Sequence, residues 1–249
     1  NTQPVMLAAG IAAYRAWLGE GGPKPAIVAG HSLGEFTALV AAGALSFDDA
    51  LKLVRLRAQA MQDAVPQGEG AMAAILGLQD EKVTEACAEA AQGEVVQPVN
   101  FNAPAQVVIA GHRAAVERAM EIARGKGAKR AVRLPVSGPF HSDLMRPAAE
   151  KLEAYLENVP LLEPEIPVIH NADVKSYRDP ATIKNALVRQ IYNPVRWVET
   201  MQLFAREGVT HLIECGPGKV LAGLAKRGGF EVLALTDSES LQFASSRIQ

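Results

Sequence analysis

Ala26-Ile27-Val28-Ala29-Gly30-His31-Ser32-Leu33-Gly34-Glu35-Phe36 sets a G-x-S-x-G pentapeptide between an apolar strand-like run, Ala26 to Ala29, and a stretch with helical spacing, Glu35 to Ala44. That context is what makes the pentapeptide credible as a turn bearing a nucleophile. A strand that turns sharply into a helix holds a serine hydroxyl clear of the backbone, and flanking glycines permit a turn that a Cβ would block. The Ser32 hydroxyl then stands at a helix N-terminus. There the N–H of Leu33 can meet the oxyanion that develops when a serine attacks a carbonyl.

Outward from this point, the chain alternates helical and strand-like spacing. A helical pattern, Val5 to Leu18, comes first, and after Glu35 to Ala44 a further helix runs from about Phe47 to Val65. Ser46 and Asp49 give that helix a start signal; Pro66, Gly68 and Gly70 give it a stop. Residues 71–136 change character. Ala71 to Leu78 reads as a strand, Asp80 to Ala91 as a helix, Val95 to Phe101 and Gln106 to Ala110 as strands, Arg113 to Arg124 as a helix and Lys129 to Val136 as a strand. This βαββαβ order is that of a ferredoxin-like split βαβ unit. The larger pattern then resumes with a helix (Ser142 to Asn158), a strand (Ile166 to His170), two helices (Ala181 to Tyr192, Val195 to Glu207), a strand (Thr210 to Cys215), a helix and a last strand (Glu231 to Leu235). Strands alternating with helices predict an α/β protein with a mostly parallel sheet covered on both faces. Residues 1–67 and 132–249 are expected to form that large α/β domain, and residues 68–131 a small inserted subdomain.

At 249 residues the chain can bury a large core. A net charge of -2 offers no basic excess for nucleic acid or an anionic membrane surface. The uncharged apolar run Phe36 to Phe47 falls short of the roughly 20 residues that span a membrane. Two cysteines, Cys87 and Cys215, make no disulfide framework, so the expected compartment is a reducing cytoplasm. No metal-binding cluster is evident.

A serine hydroxyl is a weak nucleophile at neutral pH and needs a base, most often a histidine. His31 adjoins the serine at a sharp turn, His112 falls in the insert, His211 starts a strand and His170 ends one. His141 is the best candidate: it follows the strand-like Ala131 to Val136 and a Ser-Gly-Pro turn, and it precedes a helix. A capping or surface histidine is the plainer alternative. Arg57 shares a helical stripe with Leu53, Met61 and Val65. A guanidinium there needs either a protein carboxylate or the carboxylate of a substrate, which arginine grips in bidentate fashion. Gly216-Pro217-Gly218 reads best as a turn, and loop chemistry accounts for Asn100 and Asn102.

Along essentially its whole length the chain resembles the malonyl-CoA:acyl carrier protein transacylases of fatty acid synthesis. The likeness is carried by Gly30-His31-Ser32-Leu33-Gly34-Glu35, Arg57 with Gln59 and Met61, Pro98-Val99-Asn100-Phe101-Asn102, Pro139-Phe140-His141-Ser142, Gln190-Ile191-Tyr192-Asn193-Pro194-Val195 and Gly216-Pro217-Gly218. The resemblance implies that the large domain is hydrolase-like, Ser32 is acylated, His141 is its base, Arg57 binds the malonyl carboxylate and the backbone at Gln190 supports the histidine. It implies a pocket that includes His31, Met61, Phe140 and Asn102, with Phe140 of the form associated with malonyl rather than methylmalonyl selection. Coenzyme A and the phosphopantetheine of acyl carrier protein would serve as donor and acceptor arms, without a bound cofactor or metal, on a monomer. One departure stands out. The family begins with a strand and a G-Q-G-S-Q loop that supplies the other half of the oxyanion hole; Asn1-Thr2-Gln3-Pro4 matches a later point, and nothing in the chain corresponds to that loop. That segment is deleted, precedes Asn1 or lies on another chain, and losing one oxyanion donor would cost on the order of 10² to 10³ in rate. Two rival readings stand beside the transferase. One is a serine hydrolase or thioesterase with the same dyad; the other is a module that docks carrier protein without turnover.

Overall fold

Helical spacing from Val5 onward becomes α1 (Thr2–Gly19), and the apolar run ahead of the serine becomes β1, only Val28–Ala29 long. The computed structural model describes residues 2–136 and 138–248. Ser137, first residue of the turn expected before His141, and Asn1 lie outside them. After β1 come α2 (Gly34–Ala41) and α3 (Phe47–Asp63), then β2 (Gly70–Leu76), α4 (Asp80–Ala91), β3 (Val96–Ala103), β4 (Gln106–His112), α5 (Arg113–Gly125) and β5 (Arg130–Arg133). A 3₁₀ turn leads into α6 (Arg146–Leu156), followed by β6 (Val168–Ile169), α7 (Pro180–Ile191), α8 (Trp197–Arg206), β7 (His211–Cys215), α9 (Val220–Ala225), β8 (Glu231–Leu235) and α10 (Ser238–Arg247). The expected start signal of α3 is real: the Ser46 hydroxyl accepts from the Asp49 N–H at 3.1 Å and donates to its carboxylate at 2.7 Å.

Two compact units result. The first comprises Asn1–Arg55, Val159–Ile183 and Glu199–Gln249. Its described strands pair only in parallel, as the strand–helix alternation predicts, but in two separate ladders, β1 with β6 and β7 with β8. β1 and β6 contribute two residues each, so the run Ala26 to Ala29 and the run Ile166 to His170 are mostly approach and exit rather than ladder. α10 was not foreseen. Asp237 caps it by accepting the Ser240 N–H at 2.7 Å while the Ser240 hydroxyl accepts the Asp237 N–H at 3.0 Å, a reciprocal box closed by serine instead of the usual Glu or Gln. Trp17, Leu235 and Ala244 tie α1, β8 and α10 into one apolar cluster.

The second unit comprises Leu56–Asn158 and Lys184–Val198. Compactness therefore draws the boundaries wider than residues 68–131. Within it β2 to β5 form an antiparallel sheet in the order β3-β4-β2-β5, with α4 and α5 in the two crossovers. Period-two alternation sorts the faces. Ala71, Ala73, Ile75, Val107 and Ile109 pack with Val83, Cys87, Val116 and Ala119 of the helices, while Met72, Val108 and Ala110 turn the other way to meet Val99 and Phe140. Both faces are covered, which is why β4 reads as a continuous apolar run. Among the described residues no helix is long and apolar enough to cross a membrane.

Candidate active site

Ser32 holds a left-handed backbone, φ 52°, at the turn between β1 and α2. Such a conformation costs a non-glycine residue roughly 1–2 kcal/mol, so the surroundings must impose it. Gly30 makes the turn possible, since a Cβ there would lie 2.0 Å from the backbone C and O of Gly34. Gly34 is different: a Cβ on it would meet nothing within 4 Å. Backbone bonds of the turn begin with the Gly34 N–H on His31 O at 2.9 Å, leaving the Leu33 N–H ahead of them among the open donors of a helix start.

The turn is bound to the strand beside it. The Asn171 side chain accepts from the Ser32 N–H at 2.7 Å and donates to Gly30 O at 2.8 Å. Glu35, wholly buried on the first turn of α2, accepts the Asn171 N–H at 2.9 Å and meets His170 Nδ1 at 2.7 Å. His170 was weighed as a base; the structure instead buries it against this carboxylate. Glu35 closes the serine motif, but no single-sequence signal marked Asn171 or the pairing of Glu35 with His170, because their partners lie some 135 positions away.

His141 lies in the second unit, also left-handed at φ 65° and 4% exposed. Its Nδ1 is 2.8 Å from the backbone oxygen of Gln190. A carbonyl only accepts, so Nδ1 carries a proton, which leaves Nε2 as the lone-pair nitrogen of the neutral ring, the tautomer a general base requires. The same Gln190 extends its side-chain Oε1 to Arg57 Nη2 at 2.9 Å. One buried residue at the end of α7 thus holds the imidazole by its backbone and the guanidinium by its side chain. Arg57 is 2% exposed, and its stripe mates Leu53, Met61 and Val65 are buried with it.

The His141 loop has its own supports. Ser142 Oγ donates to Pro139 O at 2.6 Å, and the Phe140 ring packs on the sheet face formed by Met72, Val99 and Val108. Asn102 falls at a register shift of β3 against β4, between Phe101 and Ala103. Such irregularities re-aim side chains beside functional sites. Asn193-Pro194-Val195 serves the outer edge of β3, where the Val195 N–H donates to Val99 O and the Phe101 N–H donates to Val195 O. His31 is half-buried beside Ser32 in the first unit.

The family model described as an acyl transferase domain matches residues 1–241. The chain belongs to the acyl transferase domain family. This acyl transferase domain is 55% identical over 227 residues to the malonyl CoA-acyl carrier protein transacylase of Escherichia coli (strain K12), covering 91% of this chain and 74% of that one. The crystal structure of the acyl-carrier-protein S-malonyltransferase of Burkholderia pseudomallei 1710b superposes with a TM-score of 0.97 at 63% identity, over 99% of this chain and 81% of that one. A type II polyketide carrier protein in complex with its malonyl-transacylase is a further neighbour, with a TM-score of 0.97 at 50% identity and coverage of 99% and 80%.

Other groups in the acyl transferase domain are structural. Glu214 accepts the N–H groups of Leu221 at 3.1 Å and Ala222 at 2.7 Å, so a protein carboxylate occupies the start of α9 and Gly216-Pro217-Gly218 acts as a turn. Burial pushes the Cys87 thiol up to about 12 and the Cys215 thiol to about 11, which keeps both in the poorly nucleophilic thiol form at neutral pH. Among the described residues no group of His, Cys, Asp and Glu could hold a metal ion.

Proposed function

We propose that the protein is an acyl carrier protein S-malonyltransferase of fatty acid synthesis, working in ping-pong fashion through a malonyl ester on Ser32. The observation that carries this reading is the double role of Gln190, whose carbonyl holds the His141 imidazole while its side chain holds the buried Arg57 guanidinium. The malonyl-CoA:acyl carrier protein activity of its relatives supports the same assignment.

In the first half-reaction His141 Nε2 takes the Ser32 proton as the hydroxyl oxygen attacks the thioester carbonyl, and the Leu33 N–H stabilises the oxyanion. The tetrahedral intermediate collapses, the C–S bond breaks, and the coenzyme A sulfur leaves with the proton from His141. In the second half-reaction His141 takes the proton of the phosphopantetheine thiol, the sulfur attacks the ester carbonyl, the C–O bond to Ser32 Oγ breaks, and His141 returns the proton to that oxygen. Arg57 pairs with the free malonyl carboxylate throughout, with Gln190 orienting one arm of the guanidinium. His31, Met61, Phe140 and Asn102 complete the pocket in this reading. The protein acts as a monomer in the cytoplasm, with no bound metal or cofactor.

Arg57→Ala tests specificity. The expected outcome is a loss of about 10² or more in malonyl-CoA kcat/KM, with activity on acetyl-CoA kept or raised, because only malonyl brings a charge that needs pairing. Equal losses on both thioesters would overturn the role of Arg57. Release of free malonate at the same rate in the presence and absence of carrier protein would favour a hydrolase instead.

A further inference from the structure

The backbone ladder between β1 and β6 stops after two pairs, Val28 with Val168 and Ala29 with Ile169. Where β1 enters the serine turn, a side chain takes over the pairing. The Asn171 carboxamide gives its N–H to Gly30 O and its oxygen to the Ser32 N–H, at 2.8 and 2.7 Å, offering the turn the donor and acceptor that a neighbouring strand would offer. We propose that Asn171 is a positioning residue for Ser32: it clamps both ends of the turn and so keeps the nucleophile in its left-handed conformation. This inference rests on the reading of Ser32 as the acylated residue.

The clamp is itself clamped. Glu35, just after Ser32 in the chain, accepts the Asn171 N–H with one carboxylate oxygen and holds His170 with the other, closing a ring from the nucleophile through α2 to the clamp. Two backbone bonds tighten the loop that carries Asn171, the His170 N–H on Lys175 O and the Val174 N–H on His170 O, both 3.0 Å. Val174 sits there at φ 57°. A β-branched side chain avoids that conformation, and strain of roughly 1–3 kcal/mol persists where surrounding structure aims a functional group. Asn171, Glu35 and His170 are buried, where a polar group left without its partner is costly. With the clamp gone, the strain at Ser32 favours relaxation of the turn, and a displacement of about 1 Å of a reacting group costs about 10²-fold in rate.

The experiment is single-turnover acylation by malonyl-CoA, read as the malonyl mass increment on intact protein against time. Asn171→Ala is expected to slow acylation about 10- to 100-fold while half-saturation by malonyl-CoA stays within about threefold. Leu235→Ala, in the α1–β8–α10 cluster, provides a destabilised control whose rate per folded molecule is expected to match the unmutated protein. If Asn171→Ala does not fold, the near-isosteric Asn171→Asp decides. It keeps the acceptor for Ser32, turns an oxygen on Gly30 O and is expected to slow acylation about tenfold or more. Acylation of the folded Asn171 variant within threefold of the unmutated protein, or a loss no greater than that of Leu235→Ala, would overturn the clamp alone. Absence of any adduct on the unmutated protein would overturn the Ser32 assignment and the clamp with it.

Discussion

Ser32 and His141 both hold left-handed backbone, at φ 52° and φ 65°, yet they are held by opposite means. The serine turn is fixed by side chains: Asn171 bonds its backbone, and Glu35 bonds Asn171. The imidazole ring is fixed by main chain, since its Nδ1 bonds the carbonyl of Gln190, an atom that every residue at that position would carry. The difference matches the tasks proposed for them. A nucleophile must keep its own backbone aimed, and only side chains reach into a tight turn from outside. A base must keep one tautomer, and a carbonyl, which can only accept, is the safest partner for that.

Gly30→Ala tests this comparison most severely. A Cβ 2.0 Å from the backbone of Gly34 cannot be accommodated by a side-chain rotation, so the turn must open. The expected loss is about 3 kcal/mol or more in denaturant unfolding, together with loss of the malonyl adduct. Normal acylation would show that the serine turn is less constrained than its geometry implies. Gln190→Ala comes next. It deletes one partner of Arg57 but leaves the carbonyl that holds His141. Steady-state kinetics should show KM for malonyl-CoA rising about tenfold with kcat changed less than threefold, the mark of lost ground-state binding. A fall confined to kcat would mean that the side chain, not the carbonyl, sustains the base. Gly34→Ala is the mildest. Its Cβ would meet open space on a helix, so a gain of about 0.5–1 kcal/mol is expected, with acylation within threefold. The two glycines of one motif would then be separated by several kcal/mol, measurable by chemical denaturation.

The two regions also differ in how far they could be read. The βαββαβ segment was legible element by element, because apolar runs such as Ala71 to Leu76 alternate with helical spacing and α4 spans the residues its spacing predicts, although β5 is half the expected length. The parallel part was legible only as alternation. β1 and β6 are two residues each, too short for any period, and their pairing joins residues some 140 apart. Arg57 could be placed on an apolar stripe, but its bond to Gln190 could not, because Gln190 approaches from a different helix. The Glu35–His170 pair was missed for the same reason: each residue alone looks ordinary, and only burial together makes them a brace.

The amino-acid order alone determined where the chain turns and which side chain the turn exposes. Sterics at Gly30 and the change from strand to helical spacing act over a few bonds, and short-range rules suffice to read them. Tertiary structure alone decided what holds that side chain. The bond from Ser32 to Asn171 spans 139 positions, and closing so long a loop is unfavourable in the free chain. It forms only once burial of the cores has met that entropic cost, so no local pattern records it.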